Sequence, residues 1–91
     1  MPLLQTFNYT INSASAVLIC DGDPSGIHLA LHNTDQATPI YIGGSAGVTS
    51  ANGYRMDGKD SLNFILSATQ SLWAICASGQ SATISVLRQP Q

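Results

Sequence analysis

Charge is what this sequence has least of. Eight of its 91 residues are charged (Arg55, Lys59, Arg88, Asp21, Asp23, Asp35, Asp57 and Asp60), and glutamate is absent altogether. A soluble domain carries charge on about a quarter of its residues, so an outer surface this neutral is expected to be covered in large part by neighbouring chains. The net charge of -2, without a Lys/Arg cluster, excludes the electrostatic footprint of a nucleic-acid binder. Long apolar runs are missing too. Met1-Pro2-Leu3-Leu4-Gln5 has no basic n-region, and Ala16 to Cys20 is too short for a signal h-region or a membrane span, so the chain is expected to be made and used without secretion, with no membrane partner.

Cysteine is scarce as well. Cys20 and Cys76 lie in apolar runs without the C-x-x-C spacing of a metal or redox site. Buried free thiols are the expectation, with a single disulfide as the alternative. A chain of this length makes one domain and buries about 60% of its unfolded surface, which leaves its own core marginal. Despite the missing charge, 44% of the residues are apolar. Together these are the features of an assembly component, in which association supplies the remaining stability.

What is present is period-two alternation, cut by Gly, Pro, Asn, Asp and Ser, with no helical period. Gln5 to Ile11 reads as a first strand or an extended arm, so residues 1–13 are set apart from a single β-domain over 14–91. Ala14 to Cys20 follows, after the turn chemistry of Asn12-Ser13. Ile27 to His32 is the cleanest half-buried strand: three aliphatics face one way and both histidines the other. Ile40 to Ile42 comes after a reversal at Asn33 to Pro39, and Gly43 to Asp60 is the longest irregular stretch. Leu62 to Leu66, Leu72 to Ala77 and Ala82 to Leu87 read as an antiparallel meander, with Leu62, Phe64 and Leu66 set across from Ile84 and Val86 in facing sheets. Six or seven such strands predict an all-β fold, a small antiparallel sandwich or barrel of jelly-roll type.

Motifs with enzymatic or metal chemistry fail on their surroundings. Gly43-Gly44-Ser45-Ala46-Gly47 has the G-x-S-x-G spacing of a nucleophile elbow, but no helix-forming segment and no histidine follow it. It reads as a glycine-rich turn, and without a Lys-Ser/Thr ending it is no phosphate cradle. Asp21-x-Asp23-x-Ser25-Gly26 opens like a calcium loop and then places His32 where a bidentate glutamate belongs, so it reads as a hairpin turn. His28 and His32 share a strand face, yet four residues of strand hold them roughly 13 Å apart, too far to chelate one ion within a chain. Asp57 and Asp60 read as turn residues, and the sequon Asn8-Tyr9-Thr10 has no meaning without secretion. No cofactor or metal is expected. Trp73, Tyr41 and Tyr54 are the large amphipathic groups that anchor interfaces, with core packing the competing assignment for Trp73.

A family resemblance rests on Tyr41-Ile42-Gly43-Gly44-Ser45, Val48-Thr49, Asn52-Gly53-Tyr54, Gly58, Ser61-Leu62, Leu72-Trp73-Ala74-Ile75, Ala77-Ser78-Gly79 and Ile84-Ser85-Val86-Leu87. This pattern of turn glycines and strand apolars over residues 26–88 resembles the small virion proteins of tailed bacteriophages, of the head decoration or cement type. The resemblance implies a non-enzymatic structural protein on the capsid surface of the virion, assembled in the host cytoplasm. Its partner would be the major capsid protein, and its own state a homo-oligomer, a trimer by analogy. A tail- or fibre-associated module whose long loop binds a host-surface glycan is the alternative. The expected interface residues are Tyr41, Tyr54 and Arg55 around the long loop, with Leu3, Leu4 and Phe7 in the arm, whose apolar side chains have few partners in so small a domain.

Overall fold

Alternation of inward apolar and outward polar residues gives each strand one face to bury, and two such faces close on one another. The computed structural model of the chain describes residues 4–22, 26–67 and 69–90. Among them are eight strands: β1 (Gln5–Asn12), β2 (Val17–Asp21), β3 (Ile27–Asn33), β4 (Ile40–Gly43), β5 (Tyr54–Met56), β6 (Ser61–Leu66), β7 (Ser71–Ile75) and β8 (Ser81–Pro90). They form sheet A, in the order β1-β8-β3-β6, and sheet B, in the order β2-β7-β4-β5. Every pairing is antiparallel. This interleaved order is that of an eight-stranded jelly roll, in agreement with the all-β sandwich expected from the alternation.

The core is the layer between the sheets. Sheet A contributes Ile11, Ile27, Leu29, Leu31, Ile84 and Val86, and sheet B contributes Ile40, Ile42, Met56, Leu72 and Ala74. Burying each of the larger aliphatics contributes about 1.5–3 kcal/mol. In β3 the aliphatic and histidine faces separate as the alternation predicts: Ile27, Leu29 and Leu31 are buried, while His28 is exposed and His32 half-exposed.

Strand connectivity differs from the meander read in the last third of the sequence. β6 pairs with β3, β7 with β2 and β4, and β8 with β1 and β3, so no two of the three are neighbours. Leu62, Phe64 and Leu66 therefore share sheet A with Ile84 and Val86 instead of facing them across the core. The physical reason is that a four-residue connection can close a hairpin or carry the chain about 10 Å to the opposite sheet, and the turn residues are the same in both cases. The long irregular stretch also contains β5, a three-residue strand that pairs with β4.

One buried amide fixes two of the crossings between sheets. Asn33, at the end of β3, is fully buried. Its Nδ2 donates to the carbonyls of Thr38 (2.9 Å), Met56 (3.2 Å) and Asp57 (3.2 Å), and its Oδ1 accepts the Asp35 N–H at 3.0 Å. Its backbone N–H donates to the Asp60 carbonyl and its carbonyl accepts the Lys59 N–H, both at 2.9 Å. The β3–β4 and β5–β6 connections are thereby tied to one point. Gly58 is required there, because a Cβ would collide with the backbone of Gln36, and Lys59 takes a left-handed φ of 69° to complete the turn. Asp35 caps the first connection, its Oδ2 accepting from the Thr38 N–H at 2.7 Å and the Ala37 N–H at 3.1 Å. Those donors, Thr38 first, hold its carboxyl below the usual carboxylate range.

Cys20 and Cys76 are free and buried. Cys20 stands opposite Leu72 in the β2–β7 ladder, four residues from Cys76 on the β7 side. At roughly 13 Å that separation is beyond disulfide reach. Burial raises both thiol pKa values, outweighing the opposing pull of Arg88 on Cys20 and of the Ala82 backbone hydrogen bond on Cys76.

Three outcomes are expected. Asn33→Ala leaves the carbonyls of Thr38, Met56 and Asp57 short of a donor, that of Met56 buried, and lowers the unfolding free energy by about 3 kcal/mol, read from urea denaturation. The Asp35 cap favours the ionised form, so its contribution is full at neutral pH and is lost as the pH falls through the depressed folded-state pKa. Amide-exchange protection at Ala37 and Thr38 should drop there, and Asp35→Asn should abolish that pH dependence. Ellman's reagent at neutral pH should leave both thiols of the native protein unmodified and titrate two per chain after denaturation.

Candidate interaction face

The outer face of sheet B is built by the residues that alternate with its core positions. In one row Leu18 stands beside Trp73 and Trp73 beside Gly43; in the next, Ile75 stands beside Tyr41 and Tyr41 beside Arg55. None of these side chains belongs to the buried core, and Leu18 is 39% exposed. The indole is fixed from one side: Trp73 Nε1 donates to Ser71 Oγ at 3.1 Å, and Ser71 Oγ donates to the Gly44 carbonyl at 3.2 Å. A Trp, a Tyr and an Arg on two adjacent rows of a rigid sheet are the residue types that dominate interface energetics.

The long loop after β4 folds back onto this face. Val48 is buried and lies where Gly43 and Gly53 have no side chains: a Cβ on either would approach Val48 Cγ2 to 2.7 Å and 2.9 Å. Thr49 and Asn52 close the loop on itself, the Thr49 N–H donating to Asn52 Oδ1 at 2.7 Å and the Gly53 N–H to the Thr49 carbonyl at 2.8 Å. Ser45 serves a turn within it, its Oγ accepting the Gly47 N–H at 3.3 Å.

Arg55 Nε donates to Asp57 Oδ1 at 2.5 Å, with the two side chains 59% and 60% exposed. Water screens such a pair, so it orients the guanidinium more than it stabilises the fold. The Asp57 hydrogen bond, the Asp57 charge and then Tyr41 raise the Arg55 pKa.

Of the residues expected at an interface, Tyr41 and Arg55 come together here. Tyr54 is 62% exposed but lies opposite Ile42, on the other face of β5. Leu4, 56% exposed, precedes β1 in sheet A. Phe7 is half-buried in β1, with its ring 6.2 Å from that of Tyr9 and the Arg88 guanidinium 5.9 Å above it. Leu3 lies outside the described residues, as do Asp23 and Ser25 of the calcium-like opening. Sequence reasoning passed over Ile75 and Leu18 and left Trp73 between core and surface. The signal was there: β7 reads Ser-Leu-Trp-Ala-Ile, apolar on both parities, which is the pattern of a strand covered on both sides.

Sheet A has a different outer face. Asn8, Ser85, His32 and Ser61 form one row across all four strands, at the centre of a shallow groove of about 480 Å³. Ser85 Oγ donates to Asn8 Oδ1 at 2.7 Å, and His32 Nδ1 and Ser61 Oγ are 2.8 Å apart. No other side chain among the described residues orients the His32 ring, so the pair is a cross-strand contact and not an activated nucleophile.

No protein-family model matches the chain, and no curated protein sequence matches it. In fold it is similar to a chain of the disulfide-linked pili that form Bacillus endospore appendages, with a TM-score of 0.62 and 15% identity, over 100% of this chain and 87% of that one.

Proposed function

We propose that this chain is a structural protein of an assembled particle, a bacteriophage decoration or cement protein that docks on the assembled head shell and stabilises contacts between major capsid subunits. The observation that carries the reading is the Trp73–Tyr41–Arg55 stripe on the outer face of sheet B, an anchor-rich surface on a rigid, nearly charge-free domain. Binding that exists only on the assembled shell stabilises that shell by linkage, since the binding free energy is added to the assembled state alone. A cyclic homo-oligomer, a trimer at threefold positions, suits a protein that must clamp several capsid subunits at once.

A second reading, a subunit of a tail, fibre or other filament, is favoured by the fold similarity to a pilus chain. Copy number separates the two. Quantitative mass spectrometry of purified particles should find this chain at a number comparable with that of the major capsid protein; a few copies per particle would assign it to the tail, and none would remove the virion reading. On the shell, Trp73→Ala and Tyr41→Ala should each weaken binding about tenfold or more and lower the temperature at which heads release DNA. Unchanged occupancy and release temperature in the double variant would overturn the assignment of this face.

A further inference from the structure

The four sheet edges of this molecule are not treated alike. An exposed edge strand offers a row of unpaired N–H and C=O groups, and soluble proteins blunt it with charge, proline, bulges or brevity. Sheet B is blunted at both ends: β2 carries a register shift between Leu18 and Cys20 and ends on Asp21, and β5 is three residues long with Arg55 at its centre. Sheet A is blunted at neither over most of its length; at the end of β1 the Asn12 carbonyl accepts the Cys76 N–H at 2.9 Å and the Ile11 carbonyl the Cys76 thiol at 3.4 Å, which leaves β1 open from Gln5 to Thr10. β1 (QTFNYTIN) and β6 (SLNFIL) contain no charged residue, no proline and no glycine. Among the described residues each pairs in unbroken register with one neighbouring strand, β8 or β3.

The side chains at these two edges are incomplete in a matching way. Of the five apolar residues that pack on the core while only partly buried, Phe7 and Tyr9 belong to β1, and Leu62 and Phe64 to β6. Beside β6 a groove of about 400 Å³ opens between the two sheets, with Phe64, Leu66, Leu72 and Gly43 in its lining. The direction of the strands matches as well. Three successive antiparallel steps from β1 to β8, β3 and β6 leave β1 and β6 antiparallel to each other. A second copy placed alongside in the same orientation therefore brings its β1 antiparallel to the first copy's β6, and the alternation of the sheet continues across the junction.

We propose that copies of this chain join through sheet A, with β1 of one copy added to β6 of the next. The junction gives both bare edges a partner and sets the half-buried Phe7 and Tyr9 of one copy beside the half-buried Leu62 and Phe64 of its neighbour. A β1–β1 contact is the poorer solution, because it leaves β6 bare in every copy. A head-to-tail contact of this kind builds a ring if its rotation closes and a filament if it does not. The contact goes beyond the shell-binding reading. It uses sheet edges that the Trp73 face does not touch, and it is a property of the free chain.

Sedimentation of the free protein over a wide concentration range tests it. The wild type should exceed the mass of a dimer as concentration rises. Two edge-charged variants, Thr6→Lys with Thr10→Lys on β1 and Asn63→Lys with Ile65→Lys on β6, should each remain monomeric, because all four positions are exposed and lysine at an edge opposes pairing. Mixed in equal amounts, the two variants should form a dimer and stop there, since one free β1 meets one free β6. A synthetic peptide of residues 5–12 in excess should return the wild type to the monomer, a readout that needs no variant to fold. The proposal is overturned if the wild type stays monomeric, if the β6 variant alone still dimerises, if the mixture fails to associate, or if the peptide leaves the wild-type mass unchanged. Trp73→Ala should keep the self-association of the wild type, so failure of the shell assignment and failure of the edge contact are read separately.

Discussion

The fully buried amide of Asn33 is the constraint around which one end of this jelly roll is organised. Both the chain leaving sheet A after β3 and the chain returning to it before β6 pass this point, and their carbonyls need donors that neither ladder can supply. A single side chain provides them, its two N–H bonds shared among the three carbonyls and its oxygen accepting the Asp35 N–H. Because every polar atom of that residue is engaged, the crossing has one arrangement, and β4 and β5 enter sheet B in fixed register behind it. The Trp73–Tyr41–Arg55 stripe depends on that register, since Tyr41 and Arg55 are neighbours through the β4–β5 pairing.

The near absence of charge has different consequences on the two sheets. In sheet B the outer positions went to an indole, a phenol and aliphatics, with one guanidinium at the end of the row. In sheet A they went largely to hydroxyls, amides and imidazoles that bond one another across strands, as Asn8 does with Ser85 and His32 with Ser61. The charged side chains gather instead near the β3–β4 and β5–β6 turns, where Asp35 caps backbone amides, Asp57 pairs with Arg55, and Lys59 Nζ donates to the Thr34 carbonyl at 3.1 Å. Charge is thus used mainly to close turns; on the described strands it stands at Arg55, at Arg88, whose guanidinium lies over the Phe7 ring, and at Asp21, the last residue of β2. Covering a surface so arranged takes few charges out of water, so its desolvation cost is small.

The sequence by itself determined the parity of the strands that alternate cleanly, β3, β6 and β8. Side chains alternate with period two whatever the strand pairs with, so Ile27, Leu29 and Leu31 could be assigned to the core and His28 and His32 to the outside before any partner was known. The turn at Asn12-Ser13 was legible for the same local reason, and it forms with the Ala14 N–H on Asn12 Oδ1 at 3.0 Å. The long-loop aromatics Tyr41 and Tyr54 were legible as surface groups. That they diverge onto opposite faces follows from the β4–β5 register, and that Trp73 joins Tyr41 follows from the register of β4 with the remote strand β7.

Tertiary structure alone decided which strands are neighbours. β6, β7 and β8 are joined by connections with ordinary hairpin residues, and such residues turn the chain equally well within a sheet or across the 10 Å or so between sheets. The choice is made by which apolar faces remain to be covered once β1 to β5 are placed, a property of the whole packing arrangement and of no local window. For the same reason Asn33 read as one more turn residue, and only the convergence of two remote connections made it the buried junction of the fold.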